Sequence, residues 1–366
     1  MDDELYMKRA LLLAKKGEAW VSPNPMVGCV IVKKDRIIGE GYHEKFGGDH
    51  AEINALGSAA ESVRGAVVYL NLEPCTHFGK TPPCIGRIIA AKPRRVVIGT
   101  ADPNPLVSGK GIEALKSSGI RTAVGVLEGE CRELNERFFK FMQTGIPFVT
   151  VKFAQSLDGR IATASGHSRW ISSEQSLKFA HALRSHHDAV LIGCGTLVKD
   201  NPELTVRLTK GRNPIRVVVD SHLRISADAK ILKDQGEATT VIATTSQAPR
   251  EKRARLTDLG IEVLTVDTDK DHRVDLMRLL FELGKRNISS VLAEGGAALI
   301  TSMLAEQLTD RVVVIIAPRI IGKGIESVGD LRSKTVDDSV KLSYRNIRRL
   351  GNDLIVDGRI EKRSLE

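Results

Sequence analysis

The stretch VVYLNLEPCTHFGKTPPC, residues 67–84, decides the fold of the first part of the chain. Its first six residues are apolar enough for a buried strand, and the residues from Cys84 onward suit a helix over 84–91. Pro82 and Pro83 fit the first helical turn, because the N–H that proline lacks has no partner there. A strand followed by a loop and a helix predicts an α/β unit whose connecting loop has two cysteines.

A further metal-binding side chain lies upstream, in His50-Ala51-Glu52. One imidazole and the thiolates of Cys75 and Cys84 can hold a single Zn²⁺ and leave a fourth position for water, which is the form of a catalytic zinc site. At the very start of a helix, His50 and Glu52 can both face one cavity. We therefore predict His50, Cys75 and Cys84 as zinc ligands and Glu52 as the carboxylate that moves protons.

The order His-x-Glu, then Pro-Cys, then a second cysteine is typical of zinc deaminases. Eight residues separate Cys75 from Cys84, where the usual pattern has two, so the loop between the ligands is longer here. The alternative is that the cysteines are unrelated buried residues and that His50 is solvated. Asn24, in the loop Ser22-Pro23-Asn24-Pro25, has an amide that can donate to and accept from the edge of a heterocycle.

Length and composition indicate a globular protein. The 366 residues are 42% hydrophobic and 27% charged, which suits two ordinary cores. The five cysteines are odd in number and scattered, which argues against a disulfide framework, and Cys29, Cys131 and Cys194 are expected to be small buried residues. A net charge of +9 favours either nucleic acid or a phosphorylated small ligand. Neither a signal region nor a bilayer-length apolar run is evident, so we expect a cytoplasmic location.

The domain boundary is predicted near residue 145. A helix predicted over 128–143 ends at Thr144-Gly145, with Pro147 just beyond, which is a typical stop signal. The domains are then 1–145 and 146–366. For the first we predict a three-layer α/β/α fold with a mixed sheet. Its other predicted elements are strands at 27–32, 36–41, 67–72, 95–99 and 122–126, and helices at 3–17, 51–60, 84–91 and 111–118.

The second domain is also predicted to be α/β. It lacks a Gly-x-Gly-x-x-Gly turn, so the Rossmann fingerprint is missing. Gly295-Gly296, between a strand and a helix, can bring backbone N–H groups close to a phosphate, and Gly193-Cys194-Gly195-Thr196 offers a second such turn. The predicted strands are 147–154, 189–193, 215–220, 239–244, 261–266, 289–294 and 311–317, and the predicted helices are 173–186, 250–259, 274–286 and 297–307.

Taken together, the motifs resemble those of the bifunctional deaminase–reductase family of riboflavin biosynthesis. The similarity covers nearly the whole chain, and the long spacing between the two cysteines is characteristic of that family. The motifs that show it are PNPMVG (23–28), HAE (50–52), EPCTHFGKTPPC (73–84), DPNP (102–105), SLDGR (156–160), WIS (170–172), DNPELTVR (200–207) and EGG (294–296).

The resemblance implies a cytidine-deaminase-like domain followed by a dihydrofolate-reductase-like α/β domain. The first would hydrolyse the 2-amino group of a diaminopyrimidine that has a phosphoribosylamino chain. The second would reduce the ribosyl group to ribityl with NADPH. The implied cofactors are Zn²⁺ and NADPH, and the implied partners are a small phosphorylated pyrimidine and further copies of the chain, with neither nucleic acid nor membrane.

The resemblance also implies roles for residues outside the zinc motif. Guanidinium groups suit phosphate oxygens, which makes Arg184 and Arg207, with Ser168, candidates for the substrate phosphate. Trp170 would pack on the nicotinamide, with a core tryptophan as the competing interpretation. The other implied substrate residues are Asn24, His43, His77 and Lys80 in the deaminase domain and Leu204 and Glu294 in the reductase domain. The other implied cofactor residues are Lys152, Ala154, Thr196, Asp200, Ser221, Gly295 and Gly296.

Two other functions compete with this interpretation. A zinc deaminase of nucleic-acid bases would account for the +9 charge, but it leaves a second domain of about 220 residues without a purpose. A noncatalytic zinc-stabilised binding module would need a fourth protein ligand and would make Glu52 unnecessary. Hydride transfer asks little of side chains beyond alignment and exclusion of water, so we predict no catalytic base in the second domain.

Overall fold

The computed structural model describes residues 2–78, 82–105 and 107–361. It separates into two compact units, Met1–Gly145 and Ile146–Glu366. Both units are α/β folds with a central sheet, as the sequence predicts.

The first unit is built on a five-stranded mixed sheet in the order β2-β1-β3-β4-β5. Strand β1 is antiparallel to β2 and to β3, whereas β3, β4 and β5 are parallel to one another. The predicted mixed sheet is thus confirmed, and its first two strands form a hairpin. The strands are β1 (Gly28–Lys33), β2 (Arg36–Tyr42), β3 (Val67–Leu72), β4 (Arg95–Thr100) and β5 (Arg121–Val124).

Helices cover both faces of this sheet, because alternate residues of each strand point to opposite sides. Ile31 and Leu70 join one apolar core with α2, α3 and α4, while Val30 and Tyr69 join another with α1 and α5. The three-layer arrangement is confirmed. The helices are α1 (Asp3–Ala14), α2 (Ala51–Gly57), α3 (Cys84–Ala91), α4 (Lys110–Ser117), α5 (Glu128–Leu134) and α6 (Glu136–Thr144).

The helix predicted over 128–143 is wrong in one respect, because the structure breaks it at Asn135 into α5 and α6. The Asn135 side chain accepts from the Met26 N–H at 2.8 Å and donates to the Met26 carbonyl at 2.9 Å. This contact joins residues 109 positions apart, so no local pattern could indicate it. The first helix is also shorter than predicted: it ends at Ala14 and is followed by a 3₁₀ turn at Lys15–Gly17.

The second unit contains a nine-stranded sheet in the order β11-β10-β9-β8-β12-β6-β13-β16-β15. In this spatial order, every strand from β11 through β13 is parallel to its neighbours. The hairpin of β15 and β16 follows at the edge of the sheet, where β16 pairs antiparallel with β13. Strands β7 and β14 form a separate antiparallel pair. The strands are β6 (Phe148–Ser156), β7 (Arg160–Thr163), β8 (Ala189–Gly193), β9 (Ile215–Val219), β10 (Thr240–Thr244), β11 (Glu262–Thr265), β12 (Ser290–Glu294), β13 (Arg311–Ala317), β14 (Gly324–Glu326), β15 (Leu342–Leu350) and β16 (Asp353–Ile360).

Helices again cover both faces of the larger sheet. Helices α10 and α11 pack on the face that includes Val149 and Val151, and α7 packs on the opposite face beside Leu292. Strands and helices therefore alternate around a parallel core, as predicted. The helices are α7 (Glu174–Ser185), α8 (Cys194–Asp200), α9 (Arg250–Asp258), α10 (Leu276–Lys285) and α11 (Ala297–Ala305).

Five strands and α-helices among the described residues of the second unit are absent from the sequence prediction, namely β7, α8, β14, β15 and β16, as is a 3₁₀ turn at Lys230–Leu232. Strand β15 is half-buried to exposed along its whole length, so it lacks the alternation of buried and exposed residues that indicates a strand. Strands β7 and β14 span four and three residues, which is too short for any periodic pattern. Across the described residues, the helices fall short of the length and apolarity that crossing a membrane would require.

Candidate active sites

The predicted zinc ligands come together in the first unit. The Nδ1 atom of His50 lies 3.5 Å from Cys75 Sγ and 3.3 Å from Cys84 Sγ, and the three donor atoms lie within 4.8 Å of one another. His50 is the N-cap of α2 and Cys84 is the first residue of α3, so two helix N-termini face this point. One nitrogen and two sulfurs at this separation fit the donor set of a tetrahedral Zn²⁺ site.

The two sulfurs share hydrogen bonds, and their pKa values move in opposite directions. Donation from Cys84 is the main cause that lowers the pKa of Cys75 to about 4, with His50 acting in the same direction. The shared bond with Cys75, together with burial, raises the pKa of Cys84. The Cys84 N–H also donates to Cys75 Sγ at 3.3 Å. Thiolate is the form of cysteine that binds metal, so the lowered pKa of Cys75 favours binding of a cation.

Glu52 is buried in the first turn of α2, with 3% of its surface exposed. Burial is the main cause that raises the pKa of its carboxyl group, and the charge of Cys75 adds to the effect. A carboxyl with a raised pKa beside a metal site suits general acid–base catalysis near neutral pH. Among the described residues, the cluster of potential metal ligands contains His50, Cys75 and Cys84 and no fourth His, Cys, Asp or Glu, which leaves one tetrahedral position open.

Two candidate substrate residues, Asn24 and His43, contact each other beside the metal ligands. Asn24 Nδ2 lies 3.2 Å from His43 Nε2, and His43 Nδ1 lies 3.0 Å from the Asp49 carbonyl oxygen. The ring of His43 also meets that of His50 edge-on, with centroids 5.1 Å apart. Nδ1 of His43 must be the donor to the carbonyl, so Nε2 accepts from the Asn24 amide. This arrangement turns the Asn24 carbonyl oxygen away from His43.

His77 and Lys80 come from the loop between the two cysteines. The His77 Nδ1 atom is buried and has no hydrogen-bond partner among the described residues. Buried polar groups normally have partners, which makes His77 a candidate for binding a ligand. Lys80 lies outside the described residues.

A carboxylate that the sequence analysis did not single out supports the Cys75 loop. Glu73 directly follows β3 and precedes Pro74, and its side chain is buried. It accepts four backbone hydrogen bonds at 2.9–3.2 Å. The donors are the N–H groups of Asp102, Gly109, Gly111 and Ile112. Two of these lie in the first turn of α4, where a negative charge is favourable. The position of Glu73 directly before Pro74-Cys75 was a signal in the sequence that it supports the site. Its hydrogen-bond partners lie 29 to 39 residues further along the chain, so the contact itself could not be predicted.

In the second unit, three candidate residues form a buried ionic cluster near the end of β12. Arg184 donates through Nε and Nη2 to the two carboxylate oxygens of Glu294, each at 2.8 Å, and Lys152 Nζ lies 3.9 Å from Glu294 Oε2. Burial opposes ionisation of Glu294, but Arg184 and Lys152 outweigh it and lower the pKa of that carboxyl to about 2. Burial lowers the pKa of Lys152. Arg184 is therefore engaged with Glu294, a partner that the sequence analysis did not foresee.

The loop after α8 places Leu204 and Arg207 beside this cluster. Arg184 Nη1 donates to the Thr205 carbonyl at 3.3 Å, and the Arg207 N–H donates to Nδ1 of His181 at 2.9 Å. The Arg207 guanidinium contacts Glu203 at 2.6 Å on the surface. Leu204 is buried with a positive φ of 56°. His181 was not among the predicted site residues, although it lies three residues before Arg184 and so on the same face of α7.

The predicted phosphate-binding turn lies at the start of α11. Gly295 has a φ of +139°, and a Cβ there would lie 2.9 Å from Thr196 Oγ1. The Gly296 N–H donates to that hydroxyl at 2.9 Å. These two glycines thus let the backbone at the start of α11 pack closely against Thr196 in the first turn of α8. A helix N-terminus of this kind suits the phosphates of a dinucleotide.

The remaining candidates lie on β6, at the end of α8 and in loops of the second unit. Trp170 is 64% exposed, which excludes the core-tryptophan interpretation. Ser168 is half-buried, and the Arg169 side chain between them donates to the Asp200 carbonyl at 3.1 Å. Ser221 follows β9 and accepts from the Val274 N–H at 3.1 Å, and Ala154 is half-buried on β6.

Two family models match the chain in sequence. The RibD C-terminal domain matches residues 147–356, and the cytidine and deoxycytidylate deaminase zinc-binding region matches residues 1–100. Among curated proteins, the riboflavin biosynthesis protein RibD of Aquifex aeolicus is 45% identical over 97% of both chains. The protein of the same name from Escherichia coli is 39% identical and covers 97% of this chain and 98% of its own.

Solved structures show the same similarity. Acinetobacter baumannii RibD, form 1, is 36% identical, has a TM-score of 0.89, and the match covers 98% of this chain and 99% of that one. A diaminohydroxyphosphoribosylaminopyrimidine deaminase/5-amino-6-(5-phosphoribosylamino)uracil reductase from Thermotoga maritima is 38% identical with a TM-score of 0.84, at the same coverage.

Proposed function

The chain belongs to the RibD family of riboflavin biosynthesis proteins, and on that basis we propose how its residues share the work of the two reactions. It is a bifunctional enzyme, a pyrimidine deaminase and an NADPH-dependent reductase, and its cofactors are Zn²⁺ and NADPH. We assign deamination to residues 1–145 and reduction to residues 146–366.

In the deaminase half, His50, Cys75 and Cys84 hold the zinc. When bound, the metal acts as a Lewis acid that lowers the pKa of a coordinated water. Glu52 accepts a proton from the attacking water and returns protons to the ring nitrogen and the departing amine. The C–N bond to the 2-amino group breaks, a C=O bond replaces it, and ammonia leaves. The observation that supports this assignment most directly is the buried Glu52 with a raised pKa beside three donor atoms that lie within 4.8 Å of one another.

Asn24, His43, His77 and Lys80 bind the pyrimidine ring and its phosphoribosyl chain. The Asn24 carbonyl oxygen, turned away from His43, is an acceptor for a ring N–H or an amino group. The unpartnered Nδ1 of His77 provides one further polar contact.

In the reductase half, the cluster of Lys152, Arg184 and Glu294 faces the polar chain of the substrate. Ser168, Leu204 and Arg207 bind the same molecule, with the phosphate near Arg207. NADPH lies at the starts of α8 and α11, where Gly295, Gly296 and Thr196 come together and where the positive end of a helix favours phosphate. Ala154, Trp170, Thr196, Asp200 and Ser221 complete the cofactor site. No side chain is assigned a proton-transfer role in this half, because hydride transfer depends mainly on alignment.

The test supplies the diaminopyrimidine ribonucleotide with and without NADPH. Ammonia should appear in both reactions, and NADPH should be oxidised only when deamination can precede reduction. Glu52→Gln should lower ammonia release by about 10²–10⁴-fold and keep one zinc per chain. Glu113→Gln is the matched control, since Glu113 also lies in the first turn of a helix but is exposed. Loss of zinc from Glu52→Gln would make Glu52 a structural residue instead.

We also propose a cytoplasmic location and a homo-oligomeric state, the latter to be measured by light scattering after gel filtration. The substrate is a free phosphorylated pyrimidine rather than nucleic acid. Deamination of the free nucleotide should therefore change little between 50 and 200 mM salt, whereas binding to a polynucleotide would weaken steeply.

A further inference from the structure

The motif Ser156-Leu157-Asp158-Gly159-Arg160 has no part in the chemistry proposed above, yet its polar side chains are all engaged. Asp158 accepts from Ser156 Oγ at 2.6 Å and from the backbone N–H groups of Ile321 and Gly322 at 3.0 and 2.7 Å. These bonds, that from Ser156 foremost, lower the pKa of Asp158 to about 2. The carboxylate thus joins the end of β6 to the segment that leads into β14.

Arg160 strengthens the same connection. Its Nε donates to the Gly322 carbonyl at 3.1 Å and its Nη1 contacts Glu326 Oε1 at 2.7 Å. Residues 160–163 pair with 324–326 as strands β7 and β14. Asp158 and Arg160 therefore fix the position of β7 relative to β14 and to the segment just before β14.

Strand β7 leads directly into the loop 164–172, which contains Ser168 and Trp170. The loop begins with a tight turn in which the Thr163 N–H donates to the His167 carbonyl at 3.0 Å and the His167 N–H donates to Thr163 Oγ1 at 3.1 Å. The position of β7 thus sets the start of the loop.

A second carboxylate fixes the other end of the loop. Asp353, at the start of β16, is 2% exposed. One of its oxygens accepts from the Ser173 N–H and Oγ, each at 2.7 Å, and from Ser176 Oγ at 2.6 Å. Ser173 is the N-cap of α7 and follows Trp170 by three residues. A buried carboxylate with three donors holds this helix start firmly against the hairpin of β15 and β16.

We propose that Asp158 and Asp353 are positioning residues for reduction, which hold the two ends of the loop 164–172 so that Ser168 and Trp170 meet the substrate and the cofactor. The inference rests on the proposed roles of Ser168 and Trp170. The SLDGR motif and the C-terminal hairpin, which have no part in the chemistry proposed above, thereby gain a role.

The experiment uses the full chain with Trp20→Phe, which leaves Trp170 as its single tryptophan. Asp158→Asn and Asp353→Asn should each raise the KM for NADPH about tenfold and change kcat less than threefold, because the displaced residues bind rather than react. The fluorescence anisotropy of Trp170 should fall in both variants. Ammonia release, measured on the same samples, should stay unchanged. Asp337→Asn is the matched control, since the Asp337 side chain is 95% exposed in the same unit, and it should change none of these readouts.

Ser176→Ala covers the case in which Asp353→Asn fails to fold, since it removes one donor and keeps the carboxylate; it should raise the KM about threefold. Unchanged KM and unchanged anisotropy in the Asp158 and Ser176 variants would overturn the proposal. Trp170→Ala separates this outcome from failure of the proposed function. If Trp170→Ala leaves the KM for NADPH unchanged, the cofactor role of Trp170 is wrong. The anisotropy of Trp170 in the Asp158→Asn and Asp353→Asn variants then still reports whether the two carboxylates hold the loop.

Discussion

Glu52 and Glu294 are both buried carboxylates, but their surroundings move their pKa values in opposite directions. Burial raises the pKa of Glu52, which suits a group that must take up and release protons. Glu294 is also penalised by burial, yet Arg184 and Lys152 lower its pKa to about 2, so it stays ionised throughout the physiological range. The same residue type thus has a pKa suited to proton transfer in one half and is a fixed charge in the other.

The low pKa of Glu294 predicts an acid-sensitive reductase half. The folded-state pKa lies below the value of about 4.3 expected in the unfolded chain, so the stabilisation is complete above about pH 5 and is lost as the pH falls toward 2. The size of the effect is about 3 kcal/mol. Glu294→Gln should flatten this pH dependence, and it should also lower stability at pH 7, because Arg184 and Lys152 lose their buried counter-charge.

The measurement is urea unfolding followed by Trp170 fluorescence in the Trp20→Phe chain, at several pH values between 7 and 3. Glu251→Gln, at an exposed position, should retain the wild-type pH dependence. An equally steep loss of stability in Glu294→Gln would mean that another carboxylate is responsible.

At single positions, features that depend on neighbours in the sequence could be predicted, whereas contacts between residues far apart in the sequence could not. His50 and Cys84 stand at the starts of helices and Cys75 directly follows Pro74, so the donor types could be recognised from their neighbours. The pairing of Arg184 with Glu294 joins residues 110 positions apart, and nothing near either residue indicates it. The sequence therefore suggested Arg184 for the substrate phosphate, whereas the structure has its guanidinium on a carboxylate.

Among the elements, the contact between α1 and β1 depends on one glycine. A Cβ at Gly28 would lie 2.0 Å from the Ala10 carbonyl oxygen and 2.9 Å from the Ala14 backbone nitrogen. Both are helix backbone atoms, so relief requires the whole of α1 to move away from the sheet. This close approach also positions the loop that contains Asn24, since Gly28 follows it directly.

Gly28→Ala should therefore destabilise the first unit by about 2–3 kcal/mol. Gly86→Ala is a matched comparison, because Gly86 lies inside α3 and a Cβ there meets nothing within 4 Å. That variant should gain up to about 1 kcal/mol, the difference in helix propensity between the two residues. Urea unfolding of the Trp170→Phe chain, followed by Trp20, measures both. Equal stability of the two variants would show that α1 adjusts without cost.

Periodic patterns identified most elements, and the failures have physical causes. Strands β8, β9 and β12 are buried on both faces and appear as short apolar runs in the sequence. The C-terminal hairpin lies at the edge of the sheet, where β15 is largely exposed and polar, so its residues lack an apolar alternation. The break at Asn135 follows from a side-chain bond to Met26, which only the folded chain brings close.

For the whole molecule, two chemistries share one chain, and each unit has its own apolar cores. The proposed zinc ligands are not part of the apolar core around Ile31 and Leu70, which therefore does not depend on them. We therefore expect metal binding to complete a site in a unit that is already folded, unlike small domains that fold only around zinc.

Removal of the metal by a chelator should abolish ammonia release and leave the far-UV circular dichroism spectrum unchanged. Oxidation of NADPH should continue at its normal rate when the deaminated nucleotide is supplied directly. Added Zn²⁺ should restore ammonia release. Loss of helical signal on chelation would instead indicate that the metal holds the first unit together.

The four backbone donors around Glu73 have a consequence for protein engineering. Glu73 bonds the start of the segment that contains Cys75 to residues 102–112. The two segments therefore form one structural module even though they are separate in sequence. A transplant of the loop alone into a foreign scaffold would expose an unsatisfied anion and leave Cys75 misplaced. A successful graft has to include the second segment, with Gly111 unchanged, because a side chain there would collide with the Pro74 carbonyl 2.5 Å away.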